Sequence, residues 1–440
     1  MAKAATKPKH VLPKQADSLL AGKSAPKSTG KKPAAKKQPP RPATPATEPD
    51  LKAAFELVMQ LMAIPGGSGD EAAVAEFIRT QLIIAGVPRS AIKFDNAHTK
   101  TPLNGKVGNL IVQLPGTMAK PRRLLMAHMD TVPICIGAKP VRKGNFVSSS
   151  DPATGLGADD RAGVAVILST LLHLVKHKLP SPPLTFLWTI QEEVGLHGAR
   201  NVQTSMLGRP KLAFNWDGGP DGKLTIGATG GYRMQIEITG LASHAGGAPE
   251  QGISAIAIAS LAIADLVSDG WHGDIRKGES RGTSNVGFIQ GGQATNVVTD
   301  RVEIKAEARS HDPQFRQQIV ARIQQAFTDA AQAVRNTAGV CGQVKFNGRL
   351  DYESFKLADG ESCVLAAEAA IETGGLEPLR AISNGGLDAN WMSARGIPTV
   401  TLGCGQMQIH TASEQLDIEA FENACRIALR LATASERPVE

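Results

Sequence analysis

The first clear hydrophobic pattern begins after Asp50. In "DLKAAFELVMQLMAIPG", apolar residues recur every three or four positions between Leu51 and Met62, and Pro65-Gly66 then interrupts the repeat. This spacing predicts an amphipathic helix that ends before the proline. A second segment with acidic residues at its start, "DEAAVAEFIRTQLIIAG", predicts another helix.

Short apolar runs bounded by turn residues follow the two helices. They are "NLIVQL", "RLLMAHMD", "LTFLWTIQEE" and "KLAFNWDGG", and each predicts a buried strand. The segment "GVAVILSTLLHLVKH" lies between the second and third runs and predicts a helix. Strands that alternate with helices indicate an α/β domain with helices on both faces of its sheet.

The order of elements changes over residues 227–344 to strand–helix–strand–strand–helix–strand, which predicts a split βαβ unit. The α/β pattern resumes with a helix near 360–373, the strand "PTVTLG" and a helix over 418–433. We therefore expect an α/β fold in which one mixed-sheet catalytic domain, residues 50–226 and 345–435, is interrupted by an inserted α+β, ferredoxin-like lid.

Charge is distributed unevenly along the 440 residues, whose net charge is +7. Residues 1–50 hold 11 of the 48 Lys and Arg and three acidic residues, which leaves 37 basic and 38 acidic residues elsewhere. The folded part is thus nearly neutral, and nucleic acid is not an expected partner except weakly through the tail. Residues 1–49, rich in Lys, Ala and Pro, predict a disordered basic tail.

Hydrophobicity and cysteine content exclude further classes of protein. No run approaches the roughly 20 apolar residues of a membrane-spanning helix, so we expect no membrane association. The five cysteines form no C-x-x-C pair, which argues against a disulfide scaffold and against a thiolate zinc site. Reduced thiols of this kind are typical of a cytoplasmic enzyme.

Histidines and carboxylates stand at the ends of several predicted strands, where open α/β sheets place their sites. A single histidine or carboxylate at a strand end is more often only exposed to solvent. Five chain segments that each offer a potential metal ligand together predict a metal centre. The absence of cysteine from the set suits zinc, cobalt or manganese. The residues are His128, Asp130, Asp159, Asp160, Glu192, Glu193, Asp217 and His410.

Spacing suggests how two of these pairs are used. His128 and Asp130 are two positions apart on a strand and point to the same side, so Asp130 can orient the imidazole. Glu192 and Glu193 are adjacent and should diverge, so that one can bind metal while the other acts on water.

The motifs "HMD", "GADDRAG", "QEEVG", "WDGG", "ASHAG", "NGGLDANW" and "IHTASEQ" occur in this order. In these motifs the chain resembles the zinc metallopeptidase family that includes peptidase T, carboxypeptidase G, succinyl-diaminopimelate desuccinylase and aminoacylase. The resemblance covers everything but the tail. The peptidase T-like branch, the tripeptide aminopeptidases, is the most similar, through "GADDRAG", "EEVGLHGA" and "GGLDANW…GIPTVTLG".

The resemblance implies two divalent metal ions per subunit, zinc in the first place, with cobalt or manganese as alternatives. It implies that Asp159 bridges both ions. His128 and Asp217 would complete one metal site, and Glu193 and His410 would complete the other.

The resemblance also implies roles beside the metals. Glu192 would be the general base, Asp130 would orient His128, and the Asp159–Asp160 peptide bond would be cis.

In the lid, the resemblance implies that His244 in "ASHAGGAP" donates to the substrate carbonyl, often from the other subunit of a homodimer formed through the lid. Asn296 and Arg309 resemble substrate-binding residues of the lid, and Arg suits a carboxylate. The alternatives are a turn residue for His244 and a surface salt bridge for Arg309.

The expected function is therefore a zinc exopeptidase that removes N-terminal residues from small peptides. The alternative is an amidohydrolase or carboxypeptidase that acts on N-acyl amino acids. Asp217 favours the first, because within the resemblance Asp at this ligand position accompanies aminopeptidases and Glu the other branches. A non-catalytic binding module is disfavoured by the intact ligand set.

Overall fold

The structure is a computed structural model that describes residues 48–433, so nearly all of the predicted tail lies outside the described residues. The first helix forms as its pattern predicts. Asp50 caps it by accepting a hydrogen bond from the Ala53 N–H, and its apolar face is buried. The helices are α1 (Leu51–Ala63), α2 (Ala72–Ile84), α3 (Ala158–His177), α4 (His197–Asn201), α5 (Ala255–Ser268), α6 (Pro313–Ala333), α7 (Ser362–Thr373), α8 (Asp388–Ala394) and α9 (Ile418–Thr433).

The strands belong to three sheets. They are β1 (Ile92–Phe94), β2 (Leu110–Leu114), β3 (Arg123–His128), β4 (Pro140–Lys143), β5 (Phe146–Ser149), β6 (Leu184–Thr189), β7 (Leu212–Trp216), β8 (Lys223–Ala228), β9 (Gly230–Thr239), β10 (Gly273–Lys277), β11 (Ser280–Gly291), β12 (Arg301–Ser310), β13 (Gln343–Tyr352), β14 (Phe355–Lys356), β15 (Leu379–Ser383), β16 (Thr399–Leu402), β17 (Gln406–Met407) and β18 (Gln415–Asp417).

The largest sheet is mixed and has the order β1-β2-β6-β3-β7-β16-β8-β14, with β15 also paired to β8. β3 pairs in parallel with β6 and β7, and β16 pairs in parallel with β7. The carboxyl ends of these four strands therefore meet at one edge of the sheet. The outer pairs, such as β1 with β2 and β8 with β14, are antiparallel.

Alternate residues of a strand point to opposite faces of a sheet, and in these strands the residues on both faces are apolar. Helices therefore cover both faces of this sheet. Leu125 and Phe186 belong to a core that includes buried residues of α1, α3, α7 and α9. Leu124 and Leu187 belong to a second core with residues of α4 and α8. The near-continuous apolar runs seen in the sequence reflect this burial on both faces.

The second sheet is antiparallel, with the order β10-β11-β12-β9-β13, and it packs with α5 and α6 around its own hydrophobic core. Its strands extend from Gly230 to Tyr352, so β13 runs past the expected lid boundary at residue 344. It contains one strand more than the predicted pattern, since β10 is an exposed edge strand in which only Ile275 is buried. The division into a catalytic domain and a lid stays a prediction.

A small antiparallel sheet, β17-β18-β5-β4, completes the architecture. It connects the chain after β16 to the segment before α3, because β18 pairs with β5. Among the residues that the structure describes, no helix has the length and apolar character needed to cross a membrane.

Candidate metal centre

The edge where the parallel strands end carries most of the chemistry. His128 is the last residue of β3 and pairs in register with Thr189, the last residue of β6. Glu192 and Glu193 follow β6 in a short loop, and Asp217 follows β7 directly. Because these strands are parallel, side chains separated by many positions in sequence meet at one edge.

Two overlapping groups of side chains could each hold a metal ion. Within each group the candidate ligand atoms all lie within 4.8 Å of one another, and Asp159 belongs to both. The first group is His128, Asp159 and Asp217, and the second is Asp159, Glu193 and His410. The five residues singled out from the sequence as ligands are thus brought together, although their roles as ligands stay a prediction.

Asp159 turns its two carboxylate oxygens towards different histidines. Its Oδ1 lies 3.3 Å from Nε2 of His128, and its Oδ2 lies 3.1 Å from Nε2 of His410. On the outer sides of the two groups, Asp217 Oδ1 is 3.9 Å from His128 Nε2 and Glu193 Oε2 is 3.0 Å from His410 Nε2. Each imidazole therefore lies between Asp159 and one further carboxylate.

Asp130 contacts several parts of the centre at once. Its side chain, fully buried, accepts hydrogen bonds from the N–H groups of Glu192 and Glu193 and from the Ser68 hydroxyl. The nearest acceptor to Nδ1 of His128 is the main-chain oxygen of Asp130 at 3.1 Å, while its Oδ1 is 3.5 Å away. Asp130 thus sets the position of the glutamate loop as well as lying beside the imidazole.

The glutamate pair diverges as its adjacency predicts. The carboxylate of Glu193 contacts His410, whereas that of Glu192 makes no hydrogen bond or ion pair among the residues described. Burial raises the pKa of Glu192 well above its usual range, and the nearby Asp217 and Asp388 carboxylates add to the shift while His128 opposes it.

The pKa values of the proposed metal ligands are also shifted by burial and by neighbouring charges. Burial, and next the neighbouring Asp159, raises the pKa of Asp217 well above its usual range. The close approach of His128 and His410 overcomes burial and lowers the pKa of Asp159. Contacts with Asp159 and Glu193 raise the pKa of His410 to about 10.

These observations fit a site for cations. Asp159 Oδ1 is buried and has no hydrogen-bond partner with acceptable geometry, despite its proximity to His128. Uncompensated buried carboxylates are costly unless they are paired or coordinate metals. Two imidazoles with carboxylate oxygens are also ligands that zinc and related divalent ions accept.

The Asp159–Asp160 peptide bond is cis, which agrees with the expectation from the resemblance. Asp160 itself is fully buried, and its carboxylate accepts hydrogen bonds from the N–H groups of His128 and Gly163 and from the Gln406 amide. It therefore joins the end of β3 to the start of α3.

The three candidate residues of the second sheet and its loops form their hydrogen bonds outside this cluster. His244 and Asn296 are neighbours, because the Ala245 N–H donates to the Asn296 main-chain oxygen. Arg309 forms a bidentate pair with Glu307 at 2.9 and 3.0 Å. Over residues 48–433, no hydrogen bond or ion pair joins His244, Asn296 or Arg309 to the five clustered residues.

Two residues at the site were not singled out from the sequence. Asp388, in the motif "NGGLDANW", is buried, accepts a hydrogen bond from the Thr189 hydroxyl and has its pKa raised by burial to about 6. Glu414, four positions after His410, accepts four hydrogen bonds. Both lie within quoted motifs, but sequence alone does not show which buried groups they face.

A mixed α/β sheet whose strand ends gather two histidines and several carboxylates has the side chains that a metal-dependent hydrolase requires. The family model "Peptidase family M20/M25/M40" matches residues 124–434, which is more than half of the chain. The chain therefore belongs to this peptidase family and is a peptidase hydrolase.

Two curated relatives align with most of the chain. Uncharacterized protein YqjE of Bacillus subtilis is 34% identical over 382 residues, which cover 86% of this chain and 97% of that protein. Carboxypeptidase G2 of Pseudomonas sp. is 28% identical over 397 residues, with 88% and 90% covered.

Two solved structures have the same fold over nearly their whole length. A tripeptidase from Staphylococcus aureus is 30% identical with a TM-score of 0.78, covering 88% of this chain and 99% of that one. Aminopeptidase PepT from Bacillus cereus is 31% identical with a TM-score of 0.75, covering 88% and 98%. The mixed α/β fold class predicted from the sequence is thus confirmed.

Proposed function

We propose that the chain is a binuclear zinc-dependent exopeptidase, an aminopeptidase that hydrolyses small, tripeptide-like peptides. The observation that carries this proposal is the geometry of Asp159, which offers one oxygen to each of two ligand groups. A shared carboxylate of this kind suits a ligand common to two neighbouring cations. The likeness to a tripeptidase and to aminopeptidase PepT supports the choice of substrate.

In this proposal His128 and Asp217 would hold one cation, Glu193 and His410 would hold the other, and Asp159 would be a ligand of both. Divalent ions held there would supply Lewis-acid chemistry, which polarises a scissile carbonyl and lowers the pKa of bound water. Zinc suits the histidine and carboxylate ligands, with cobalt or manganese as alternatives.

Glu192 is the general base. Asp130 holds the Glu192 N–H at 3.0 Å, so the loop is anchored while the carboxylate stays without a partner in the described structure. It accepts the proton of the attacking water and then passes it to the leaving amine.

His244 donates a hydrogen bond to the carbonyl oxygen as negative charge develops there. Its Nδ1 accepts hydrogen bonds from the N–H groups of Gly246 and Gly247, so in the neutral ring Nε2 carries the hydrogen. Charge stabilisation by such a donor is a large term in acyl transfer. Because no hydrogen bond or ion pair joins His244 to the proposed metal ligands among the residues described, we propose that a second subunit supplies it in a homodimer.

The two ends of the peptide are read by groups of opposite charge. The carboxylates around Asp217 attract the free α-ammonium, while Arg309 and Asn296 hold the far end of the peptide. Arg309 is already paired with Glu307, so it must exchange this partner for the substrate carboxylate. The separation of these anchors limits peptide length.

The five free thiols fit a cytoplasmic location.

The test compares one tripeptide in three forms, with free ends, N-acetylated and C-amidated, on the zinc-loaded chain. Loss of the ammonium charge should remove most of the activity, and amidation should mainly raise KM. Metal analysis of the purified protein should give two ions per chain. Hydrolysis of the free tripeptide slower than that of N-acyl amino acids would refute the aminopeptidase assignment.

The alternative function is that of an amidohydrolase or carboxypeptidase acting on N-acyl amino acids. The likeness to carboxypeptidase G2 over 88% of this chain favours it. The same assay separates the two, because N-acyl amino acids lack the free ammonium that an aminopeptidase requires.

A further inference from the structure

Glu414 is a buried carboxylate, 1% exposed, in the loop that follows His410. Its Oε2 accepts hydrogen bonds from the N–H groups of Leu156 at 2.9 Å and Gly157 at 2.7 Å. Its Oε1 accepts a hydrogen bond from the N–H of Asp159 at 3.0 Å. One side chain thus binds three main-chain donors that lead into the residue shared by both ligand groups.

The thiol of Cys135 provides a fourth contact, at 3.2 Å from Oε2 of Glu414. The segment that leads into α3 and the loop that contains Glu414 are also packed closely. A Cβ atom at Gly155 would lie 2.9 Å from the main-chain oxygen of Thr411 and 3.1 Å from Glu414 Oε2. Little space is therefore left for the segments to shift if the carboxylate contacts are lost.

The main-chain donors that Glu414 binds lie just before the regular part of α3. The first N–H groups of a helix have no partner within the helix and are usually satisfied by a side chain at the N-cap. Here the backbone is not helical at Asp159 and Asp160, and the Asp160 carboxylate caps the regular helix by accepting a hydrogen bond from the Gly163 N–H. The N–H groups before this regular helix have Glu414 as their acceptor, although it is 257 residues from Gly157 in the sequence.

We propose that Glu414 is a positioning residue that holds Asp159 and His410 in the relative placement needed to bind a metal ion. This inference rests on the proposed function, since it takes these two residues as ligands. Glu414 is not itself a ligand, because its oxygens are occupied by hydrogen-bond donors. It joins the segments that carry two of the three residues of the Asp159–Glu193–His410 group.

The substitution Glu414→Gln keeps the size of the side chain but replaces one oxygen with an NH₂ group. Either orientation of the amide places donors against main-chain donors. Partners of metal ligands typically contribute 10- to 100-fold to metal affinity, so we expect a loss of about this size. It should fall mainly on the His410 group, which depends on Glu414 through two of its ligands.

The experiment titrates Zn²⁺ into the metal-free full-length chain by isothermal titration calorimetry. His410→Ala identifies the binding step that belongs to its group. Glu414→Asp keeps the charge but shortens the reach, and it should also weaken this step, which gives a second measurement if Glu414→Gln does not fold. Glu419→Gln, a change at an exposed position just downstream, should leave both steps unchanged.

Unfolding temperatures of the metal-free proteins separate positioning from simple structural support. Unchanged zinc affinity in both Glu414 variants, with only a lower unfolding temperature, would overturn the inference and leave the proposed function intact. A wild-type chain that takes up no zinc would instead refute the proposed function, and the inference with it.

Discussion

Replacing Glu192 with Gln should separate catalysis from metal binding. The variant keeps the shape of the side chain and its N–H contact with Asp130, but the amide cannot accept a proton at the attacking water. Glu192 belongs to neither of the two groups of candidate metal ligands. We therefore expect the variant to bind two zinc ions nearly as the wild type does.

The size of the effect follows from this single lost role. A positioned general acid–base group contributes roughly 10²–10⁴-fold to the rate. At about 1.36 kcal/mol for each tenfold change, this corresponds to about 3–5 kcal/mol of transition-state stabilisation. Most of the loss should appear in kcat, because the free carboxylate makes no contact on which substrate binding alone would depend.

Glu193→Gln is the matched control, because it makes the same chemical change one residue away. Its carboxylate lies 3.0 Å from His410 Nε2 within a ligand group, so this variant should bind the second zinc ion more weakly. Its activity should recover in excess zinc, whereas that of Glu192→Gln should not. Measuring kcat, KM and bound zinc in both proteins tests the assignment, and the reverse pattern would refute it.

Three further outcomes are expected. Removing metal with 1,10-phenanthroline should abolish peptide hydrolysis and lower the unfolding temperature, since a ligand present at 100 times its Kd adds about 2.7 kcal/mol of stability; hydrolysis that survives chelation would contradict the metal-dependent mechanism. His244→Ala should lower kcat by about 10²–10³-fold with unchanged zinc content, and an unchanged kcat would count against its role. Gly163→Ala should cost at least about 1–3 kcal/mol in urea unfolding, because its Cβ would lie 2.2 Å from the main-chain oxygen of Trp216. Gly360→Ala, whose Cβ would meet nothing within 4 Å, is the control, and equal stability of the two variants would contradict the packing argument.

Elements with strong periodicity were predictable from the sequence. α1, α9 and the buried strands β3 and β6 occur where their patterns place them, because burial requires a continuous apolar face or run. Strands without a clear apolar pattern of their own were not predicted. β10 is mostly polar and exposed, and β17 has only two residues. They are strands because they pair with β11 and β18, not because of a pattern in their own sequence.

The candidate site was predictable only as a set of residue types. Imidazole and carboxylate groups at strand ends are visible in the sequence, as is the divergence expected of Glu192 and Glu193. The sequence does not show that Glu414 accepts hydrogen bonds from the N–H groups that lead into α3, because these contacts depend on which loop reaches that segment. Nor does it show that Arg309 already has Glu307 as its partner.

The sequence by itself thus determined the fold class, the family and the chemical character of the centre, since these depend on local periodicity and on residue types in a fixed order. Only the tertiary structure decided the geometry. Asp159 and His410 are 251 positions apart, yet their Oδ2 and Nε2 atoms lie 3.1 Å from each other. That proximity arises because parallel strands end at one edge and the small sheet returns the chain to it, a long-range arrangement that local patterns do not encode.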